Sequence, residues 1–151
     1  MAATALVTAS LLGSCDNGCE QTRENYMHAH VISTSGRQMR RMSFFMVSGQ
    51  YMTQSGNVTK LDDFEVKINP KDSVTYLFCT CEYSDYGDSF METDTIRIDY
   101  QTTPRFLDLS CGCTVTYHIT DVASTHALFT RTTIDNADVE PGAGINLTIE
   151  Y

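Results

Sequence analysis

Six cysteines provide the most distinctive side-chain chemistry in this 151-residue sequence, and four of them form two Cys-x-Cys pairs. In an exported protein cysteines at this density indicate disulfides, whereas in a cytosolic protein they favour metal or redox chemistry. Residues i and i+2 of a strand point to the same face. Cys79 and Cys81 are therefore expected to lie side by side, as are Cys111 and Cys113 where their segment is extended.

The two pairs admit three interpretations. The first, which the sequence favours, is a disulfide that joins Cys113 to Cys79 or Cys81 and contributes about 2–4 kcal/mol by restricting the unfolded chain. The second is a metal site made by the thiolates of Cys79, Cys81, Cys111 and Cys113, although zinc sites usually take Cys-x2-Cys spacing. The third is a set of free thiols.

Two further groups have side chains that bind metals. His28 and His30 share one face of a predicted strand, but the spacing identifies no third ligand. An acidic segment, residues 82–94, offers carboxylates of the kind that calcium binds; they belong to Asp85, Asp88, Glu92 and Asp94. Their spacing is not that of an EF-hand, so the favoured interpretation of both groups is a solvated surface, and no cofactor is predicted.

Signatures of catalysis and of nucleic-acid binding are absent from the sequence. It contains no G-x-S-x-G, H-E-x-x-H, P-loop or G-x-G-x-x-G motif. The net charge is −9, from 10 basic and 19 acidic residues. No basic block longer than Arg40-Arg41 is present, which argues against binding to phosphate backbones. We expect a protein that is not an enzyme and has no nucleic-acid partner.

The amino-terminal residues predict where the protein resides. Residues 1–14 are uncharged, and residues 2–12 match the apolar core of a signal peptide, which is too short to span a bilayer. The run ends in Leu-Gly-Ser-Cys, which resembles a bacterial lipobox and implies cleavage before Cys15 and a lipid on its sulfur. Basic residues usually precede such a run and are missing here. Either the true start codon lies upstream, or these residues form a buried amino-terminal helix. Residues 15–25 are predicted to form a polar tether.

Residues 26–151 predict one all-β domain. Segments in which apolar and polar residues alternate mark the strands; they cover residues 26–33, 42–48, 64–69, 74–83, 95–100, 105–109, 113–120, 128–132 and 145–151. Loops are expected at residues 49–57 and 84–94, and Pro104 is expected to separate two strands. About seven to eight short strands at roughly ten-residue spacing predict an Ig-like sandwich of two antiparallel sheets.

The carboxy-terminal half carries a series of short motifs: Tyr100, Pro-Arg-Phe-Leu at 104–107, Ser-Cys-Gly at 110–112, Tyr117 and Asn-Leu-Thr-Ile-Glu-Tyr at 146–151. With Cys15 and Cys19, this series resembles an uncharacterised family of small Bacteroidota lipoproteins. The resemblance implies an outer-membrane lipoprotein with a β-sandwich and no known activity, and a disulfide between Cys19 and Cys111. Cys79, Cys81 and Cys113 are not part of that pattern.

The same compartment adds one candidate modification. Asp-Ser-Val at 72–74 and Asp-Thr-Ile at 94–96 resemble the O-glycosylation motif of exported Bacteroidota proteins, which makes Ser73 and Thr95 candidate acceptors. Such a short pattern also recurs by chance.

The sequence therefore predicts a non-catalytic protein, attached to the outer membrane by its lipid and facing the periplasm or the cell surface. It is expected to bind an envelope protein partner through sandwich loops or an unpaired strand edge. Two alternatives remain open. One is a glycan- or calcium-binding module around residues 82–94, where Tyr83, Tyr86 and Phe90 are available for stacking. The other is a thiol module for metal or redox chemistry.

Overall fold

The computed structural model describes residues 25–58, 63–108, 112–140 and 142–151. These residues form ten strands and no helix. The strands are β1 (Tyr26–Ile32), β2 (Gln38–Ser48), β3 (Tyr51–Val58), β4 (Asp63–Lys67), β5 (Val74–Asp85), β6 (Asp88–Asp108), β7 (Gly112–Ser124), β8 (Arg131–Ile134), β9 (Asp138–Val139) and β10 (Leu147–Glu150).

Two sheets form a sandwich. The four-stranded sheet has the order β4-β1-β10-β8, and the six-stranded sheet has the order β3-β2-β5-β6-β7-β9. All neighbouring pairs are antiparallel except β1 and β10, which run parallel from Ala29 opposite Leu147 to Ile32 opposite Glu150. The predicted all-β sandwich of two sheets is confirmed, with ten strands in the described residues instead of about eight.

The core follows the alternation of each strand. In β1, Met27, Ala29 and Val31 are buried, and the residues between them point outward. The six-stranded sheet covers this face with buried apolar side chains of its own, because removal of apolar surface from water drives the two sheets together. The largest of those that are fully buried are Met42, Met46, Leu77, Ile96, Ile98, Tyr100 and Ile119.

The loop predicted at residues 49–57 is wrong. Most of this segment forms the edge strand β3. It pairs with β2 from Ser48 opposite Tyr51 to Met42 opposite Val58, with a bulge between Met46 and Val47. An edge strand has one solvated side and tolerates polar residues, so its sequence lacks the apolar alternation of an inner strand.

The segment at residues 84–94 is likewise not a loop. It completes a hairpin in which Asp85 lies opposite Asp88, with Tyr86 and Gly87 as the two turn residues. Both turn residues have positive φ, 48° and 94°. This conformation is typical of the type I′ turn, whose twist matches that of the strands it joins.

Pro104 does not break the strand that contains it. β5 pairs with β6 only as far as Val74 opposite Asp99, and beyond that point β6 pairs with β7 alone among the described strands. Proline is tolerated on an edge strand, where the missing N–H removes no ladder bond from a neighbour. Residues 101–108 of β6 and 112–118 of β7 thus form a ribbon that extends beyond β5. It is two-stranded except at Tyr117 and His118, which also pair with β9.

Candidate functional site

Cys79 and Cys81 lie in the core, not at a reactive surface. Their side chains are 1% and 0% exposed on the inner face of β5, opposite Asp94 and Glu92 of β6, and both thiols are free. Burial raises the pKa of Cys79, and its neighbours Cys81 and Asp94 raise it further. Burial, with Asp94 and Glu92, raises the pKa of Cys81 to about 12. Because thiolates are the reactive and metal-binding form, neither cysteine is poised for nucleophilic or metal chemistry.

The backbone register separates Cys113 from Cys79 and Cys81, the partners predicted for it in a disulfide. On β6, Asp94 lies opposite Cys79 and Phe106 lies opposite Cys113. These two positions are twelve residues apart, which is roughly 40 Å along a strand. A disulfide requires Cα atoms within about 7 Å of each other. The same separation lies between Cys113 and the other pair in the predicted thiolate metal site; Cys111 lies outside the described residues, so that site remains a prediction.

Other predictions on cysteines fall on residues that the structure does not describe. Cys15, Cys19 and Cys111 lie outside the described ranges, so the lipid on Cys15 and the disulfide between Cys19 and Cys111 remain predictions. The backbone of Cys113 lies near the outer end of the ribbon. Asn25 donates a hydrogen bond from Nδ2 to the Val115 carbonyl oxygen at 2.7 Å, so the described chain begins beside the ribbon.

His28 and His30 lie on the outer face of β1, as their alternation predicted. His30 Nδ1 is 2.5 Å from Asp63 Oδ1 of β4, so this imidazole already has a carboxylate partner. Among the described residues, no three His, Cys, Asp or Glu side chains are arranged to hold a metal ion. The histidine pair is thus part of a polar surface, and the predicted metal site does not form there.

The four residues predicted for calcium are spread along the β5–β6 hairpin. Asp85 and Asp88 flank the hairpin turn, whereas Asp94 lies six residues beyond Asp88, roughly 20 Å along the strand. Glu92 Oε1 accepts a hydrogen bond from the Tyr83 hydroxyl at 2.7 Å. Calcium needs its oxygen ligands within about 2.3–2.6 Å of one ion, and no three acidic side chains among the described residues are arranged in that way. Calcium binding by the predicted set remains a prediction.

Asp94 instead holds the connection from β7 to β8 in place. Oδ1 accepts hydrogen bonds from the backbone N–H of Thr95 and from the backbone N–H and hydroxyl of Thr125. Oδ2 accepts from the backbone N–H groups of Leu128 and Phe129 at 2.9 and 2.8 Å. Burial alone would raise the pKa of Asp94, but these hydrogen bonds outweigh it and hold the pKa below its ordinary value. The carboxylate is a structural anchor, and the acidic pattern of the sequence did not reveal this role.

The two candidate glycosylation sites differ in access. Ser73 is exposed in the connection before β5, where its backbone carbonyl accepts a hydrogen bond from the Tyr100 N–H. Thr95 is half-buried within β6, opposite Phe78, and its backbone N–H is bonded to Asp94. Ser73 is therefore the more accessible acceptor of the two.

An exposed aromatic cluster on the outer face of the six-stranded sheet was not predicted. Phe45 and Phe78 stack with ring centroids 4.8 Å apart and an interplanar angle of 12°, and the Tyr76 ring lies 6.4 Å from Phe78. Phe45 and Tyr76 are 43% and 39% exposed. We call these three residues the aromatic face. The only sequence signal for this cluster is the alternation of β5. Residues 76 and 78 alternate with the buried residues 77, 79 and 81, so their side chains must point away from the core.

The β5–β6 hairpin presents a second exposed apolar group. Tyr86 is fully exposed in the turn, and Phe90 and Met91 of β6 are also exposed. Closer to the sheet, Phe90 stacks on Tyr83 at 5.5 Å, and the guanidinium carbon of Arg37 lies 5.1 Å from the centre of the Tyr83 ring. The base of the hairpin is thus packed, whereas its tip is free to contact another molecule.

A cleft opens where the edges of the two sheets meet. It has a volume of about 490 Å³, and we call it the edge cleft. Its lining residues come from β1 to β4: His28, Phe44, Gln54, Gly56, Asn57, Val58, Asp63, Phe64 and Glu65. Its size falls within the range of small-molecule sites. Only His28 among its polar residues had been singled out from the sequence.

The ribbon has an exposed strand edge and exposed side chains. Residues 103–106 are exposed, and Phe106 is 62% exposed. Arg105 lies 3.8 Å from Glu140 and makes a loose ion pair. Along residues 101–108, one side of β6 has no described strand beside it, and the backbone N–H and C=O groups on that side can pair with a strand of another chain.

A protein-family model matches residues 46–151, from the end of β2 through β10. The chain belongs to DUF6452, a family of unknown function. No curated protein and no solved structure matches it. The DUF6452 match includes the hairpin, the ribbon and most of the edge cleft, whereas β1 lies before it. In the described part of this DUF6452 chain, no helix is long and apolar enough to span a membrane.

Proposed function

We propose that this DUF6452 protein is a non-catalytic, lipid-anchored protein of the bacterial outer membrane that binds a protein partner through its ribbon. The observation that carries the proposal is the strand edge of β6 at residues 101–108, which no described strand covers. This edge is eight residues long, which is longer than a typical strand.

The ribbon edge supports binding by strand addition. An extended segment of a partner would pair with the backbone of β6, and the exposed Arg105 and Phe106 would supply selectivity for its side chains. Pro104 interrupts the row of donors, a feature that limits indiscriminate edge-to-edge pairing. The ribbon thus has an edge that can pair with a strand and a proline that limits non-specific pairing, as expected of an edge that has a specific partner.

The sequence supports the anchor in this proposal. A lipid on Cys15 would place the tether of residues 15–25 at the membrane, and the tether would end where Asn25 contacts the ribbon strand β7. The ribbon would then lie near the attachment point, where anchoring raises the local concentration of an envelope partner. Intact-mass measurement of membrane-extracted protein and of a Cys15→Ala variant tests the anchor: the acyl mass should disappear only in the variant.

Site-specific photo-cross-linking in intact cells tests the ribbon. A cross-linking amino acid replaces Thr103 on the ribbon or, as the control, the exposed Asp121 in the part of β7 beyond it. We expect one discrete adduct from position 103 that position 121 does not give. An absence of adducts at position 103, or the same adducts at both positions, would contradict the proposal.

Glycan binding at the aromatic face is a second candidate function. The near-parallel stack of Phe45 on Phe78, with Tyr76 beside it, gives a flat apolar surface of the kind on which sugar rings stack. A glycan array probed with the wild type, Tyr76→Ala and the control Tyr86→Ala separates this candidate from the first. Binding that is lost only in Tyr76→Ala would support it, and an array without signal would count against it.

A further inference from the structure

We propose that the edge cleft binds an organic cation, an alkyl guanidinium or alkyl amine whose apolar stem enters between β3 and β4. Nothing in the proposed ribbon interaction requires this site. The proposal rests on the shape of the cleft, the charge of its walls and the aromatic residues at its base.

The base of the cleft is apolar and aromatic. The rings of Phe44 and Phe64 lie 5.1 Å apart at an angle of 42°, one from each sheet. Gly56 lies directly against Phe44: a Cβ at this position would come within 2.9 Å of the ring. Glycine therefore lets the backbone of β3 approach the ring closely. Phe44 and Phe64 are only 7% and 9% exposed, so the cleft meets a small part of each ring, which can pack against an alkyl stem.

The walls of the cleft carry negative charge. Glu65 is exposed, and its carboxylate has no hydrogen-bond or ion-pair partner among the described residues. The Asp63 carboxylate pairs with the imidazole of His30 at 2.5 Å. No Lys or Arg is among the described residues that line the cleft. A bound cation would therefore find a carboxylate, that of Glu65, which no cationic side chain among the described lining residues neutralises.

The walls are held at a fixed spacing before any ligand binds. Gln54 of β3 donates from Nε2 to the Glu65 carbonyl oxygen at 3.1 Å and accepts from the Lys67 N–H at 2.6 Å. One side chain thus connects the edge of the six-stranded sheet to the edge of the four-stranded sheet. A preformed site loses little entropy on binding.

Charge decides between ligand classes. An anionic ligand would be repelled by Glu65 and Asp63 and by the overall charge of −9. A neutral ligand would gain nothing from a free carboxylate, which it would have to desolvate. A cation with an apolar stem satisfies both the carboxylate and the aromatic base.

Titration with small probes, followed by the amide signals of the protein in NMR spectra, tests the proposal. The probes are n-butylguanidinium, n-butylamine and the neutral n-butanol. We expect saturable shifts at Gly56, Asn57 and Glu65 with the two cations and at least tenfold weaker binding of n-butanol. The dissociation constants should rise with salt, because part of the attraction is electrostatic.

Two variants make the test specific. Glu65→Gln removes one charge and keeps the shape of an exposed side chain, so cation binding should weaken at least fivefold. Asp121→Asn removes one exposed carboxylate from the other sheet and should leave the affinity unchanged. Equal weakening in both variants would indicate a general charge effect and overturn the site. Unchanged affinity in Glu65→Gln, or binding of n-butanol as tight as that of the cations, would also overturn it.

Discussion

At the scale of single residues, the most constrained polar side chain is Asp94. It is 2% exposed, yet all five of its hydrogen bonds come from N–H or O–H donors. Such a set of partners stabilises only the ionised carboxylate. A protonated carboxyl group or an asparagine amide would point its own O–H or N–H at groups that are themselves donors. Asp94 therefore determines the path of the chain from Thr125 to Phe129.

Asp94→Asn is expected to destabilise the protein by about 2–4 kcal/mol, since it weakens several charge-assisted hydrogen bonds in a buried site. Urea denaturation at pH 7 measures the loss. The matched control is Asp121→Asn, whose exposed carboxylate should change stability by less than about 0.5 kcal/mol. A loss below 0.5 kcal/mol in Asp94→Asn would contradict the anchor role.

The pH dependence of stability should show the same carboxylate. The pKa of Asp94 in the folded protein lies below its ordinary value of 3.8. Its stabilising contribution is therefore complete above about pH 4 and is lost as pH falls through the lower, folded value. The stability difference between the wild type and Asp94→Asn should be constant from pH 5 to 7 and shrink in stronger acid. A difference that grows below pH 4 would be inconsistent with a lowered pKa.

The two core thiols should resist alkylation. Cys79 and Cys81 are buried and have raised pKa values, so iodoacetamide at pH 8 should not modify them in the folded protein. In guanidinium chloride both should react within minutes, and peptide mass spectrometry identifies the modified positions. Labelling of either residue under native conditions would show that this part of the core opens.

At the scale of elements, the β5–β6 hairpin places a fully exposed tyrosine in a left-handed conformation. Tyr86 has φ of 48°, which costs a non-glycine residue of order 1 kcal/mol. Asn and Gly at this position of a type I′ turn are the residues that hairpins prefer. Tyr86 thus makes the turn less stable than asparagine or glycine would, as expected of a residue that contacts another molecule.

Tyr86→Asn should stabilise the isolated protein by about 0.5–1 kcal/mol, because asparagine adopts the left-handed region more readily. Thermal denaturation of the two proteins measures the change. Gly87→Ala is the opposing control and should destabilise by a similar amount, since Gly87 has φ of 94°. Destabilisation by Tyr86→Asn would indicate that the tyrosine ring packs against the protein.

Alternation in the sequence was sufficient to predict the inner strands and the edge strand β4, but it failed at the edge strand β3 and at the edge part of β6. Residues 26–33 and 74–83 alternate clearly and form β1 and β5. Polar residues hid the edge strand β3, and a proline hid the continuity of β6, because an edge needs only one set of ladder bonds. The turn at Tyr86-Gly87 was missed because tyrosine is an unusual residue in that position.

At the scale of the whole molecule, polar side chains connect the two sheets at several points. Asp94 of β6 holds the chain that enters β8, and Gln54 of β3 bonds to the backbone of β4. Tyr151, which follows β10, accepts a hydrogen bond from the Met39 N–H of β2 through its hydroxyl oxygen at 3.3 Å. These contacts add directional restraints to the apolar packing between the sheets.

Tyr151→Phe should cost about 1 kcal/mol, because it removes the hydroxyl acceptor of a buried N–H group. Hydrogen exchange of the Met39 amide provides a local measurement and should become faster. Tyr86→Phe, which alters an exposed hydroxyl, is the control and should change neither quantity. An unchanged hydrogen-exchange rate at the Met39 amide would show that the hydrogen bond to Tyr151 does not stabilise the packing of the two sheets.

The sequence could not predict which residues of distant strands lie opposite each other, and this limited the prediction of sites. The alternation correctly placed Cys79 and Cys81 on one face, but only the pairing of β6 with both β5 and β7 shows how far Cys113 lies from them. The edge cleft combines residues of four strands, and no spacing in the sequence relates Glu65 to Phe44. The resemblance to an uncharacterised family agrees with the match to DUF6452.

The position of β1 has a mechanical consequence. β1 lies between β4 and β10, and its ladders with both begin within the first four residues of the strand, at Tyr26 and Ala29. Tension applied through the segment before Tyr26 would act along the strand axis and load both ladders in shear, so many bonds must fail together rather than one after another. If the protein is held at its amino-terminal side, as the proposed lipid anchor would hold it, β1 resists separation from both of its neighbours under load.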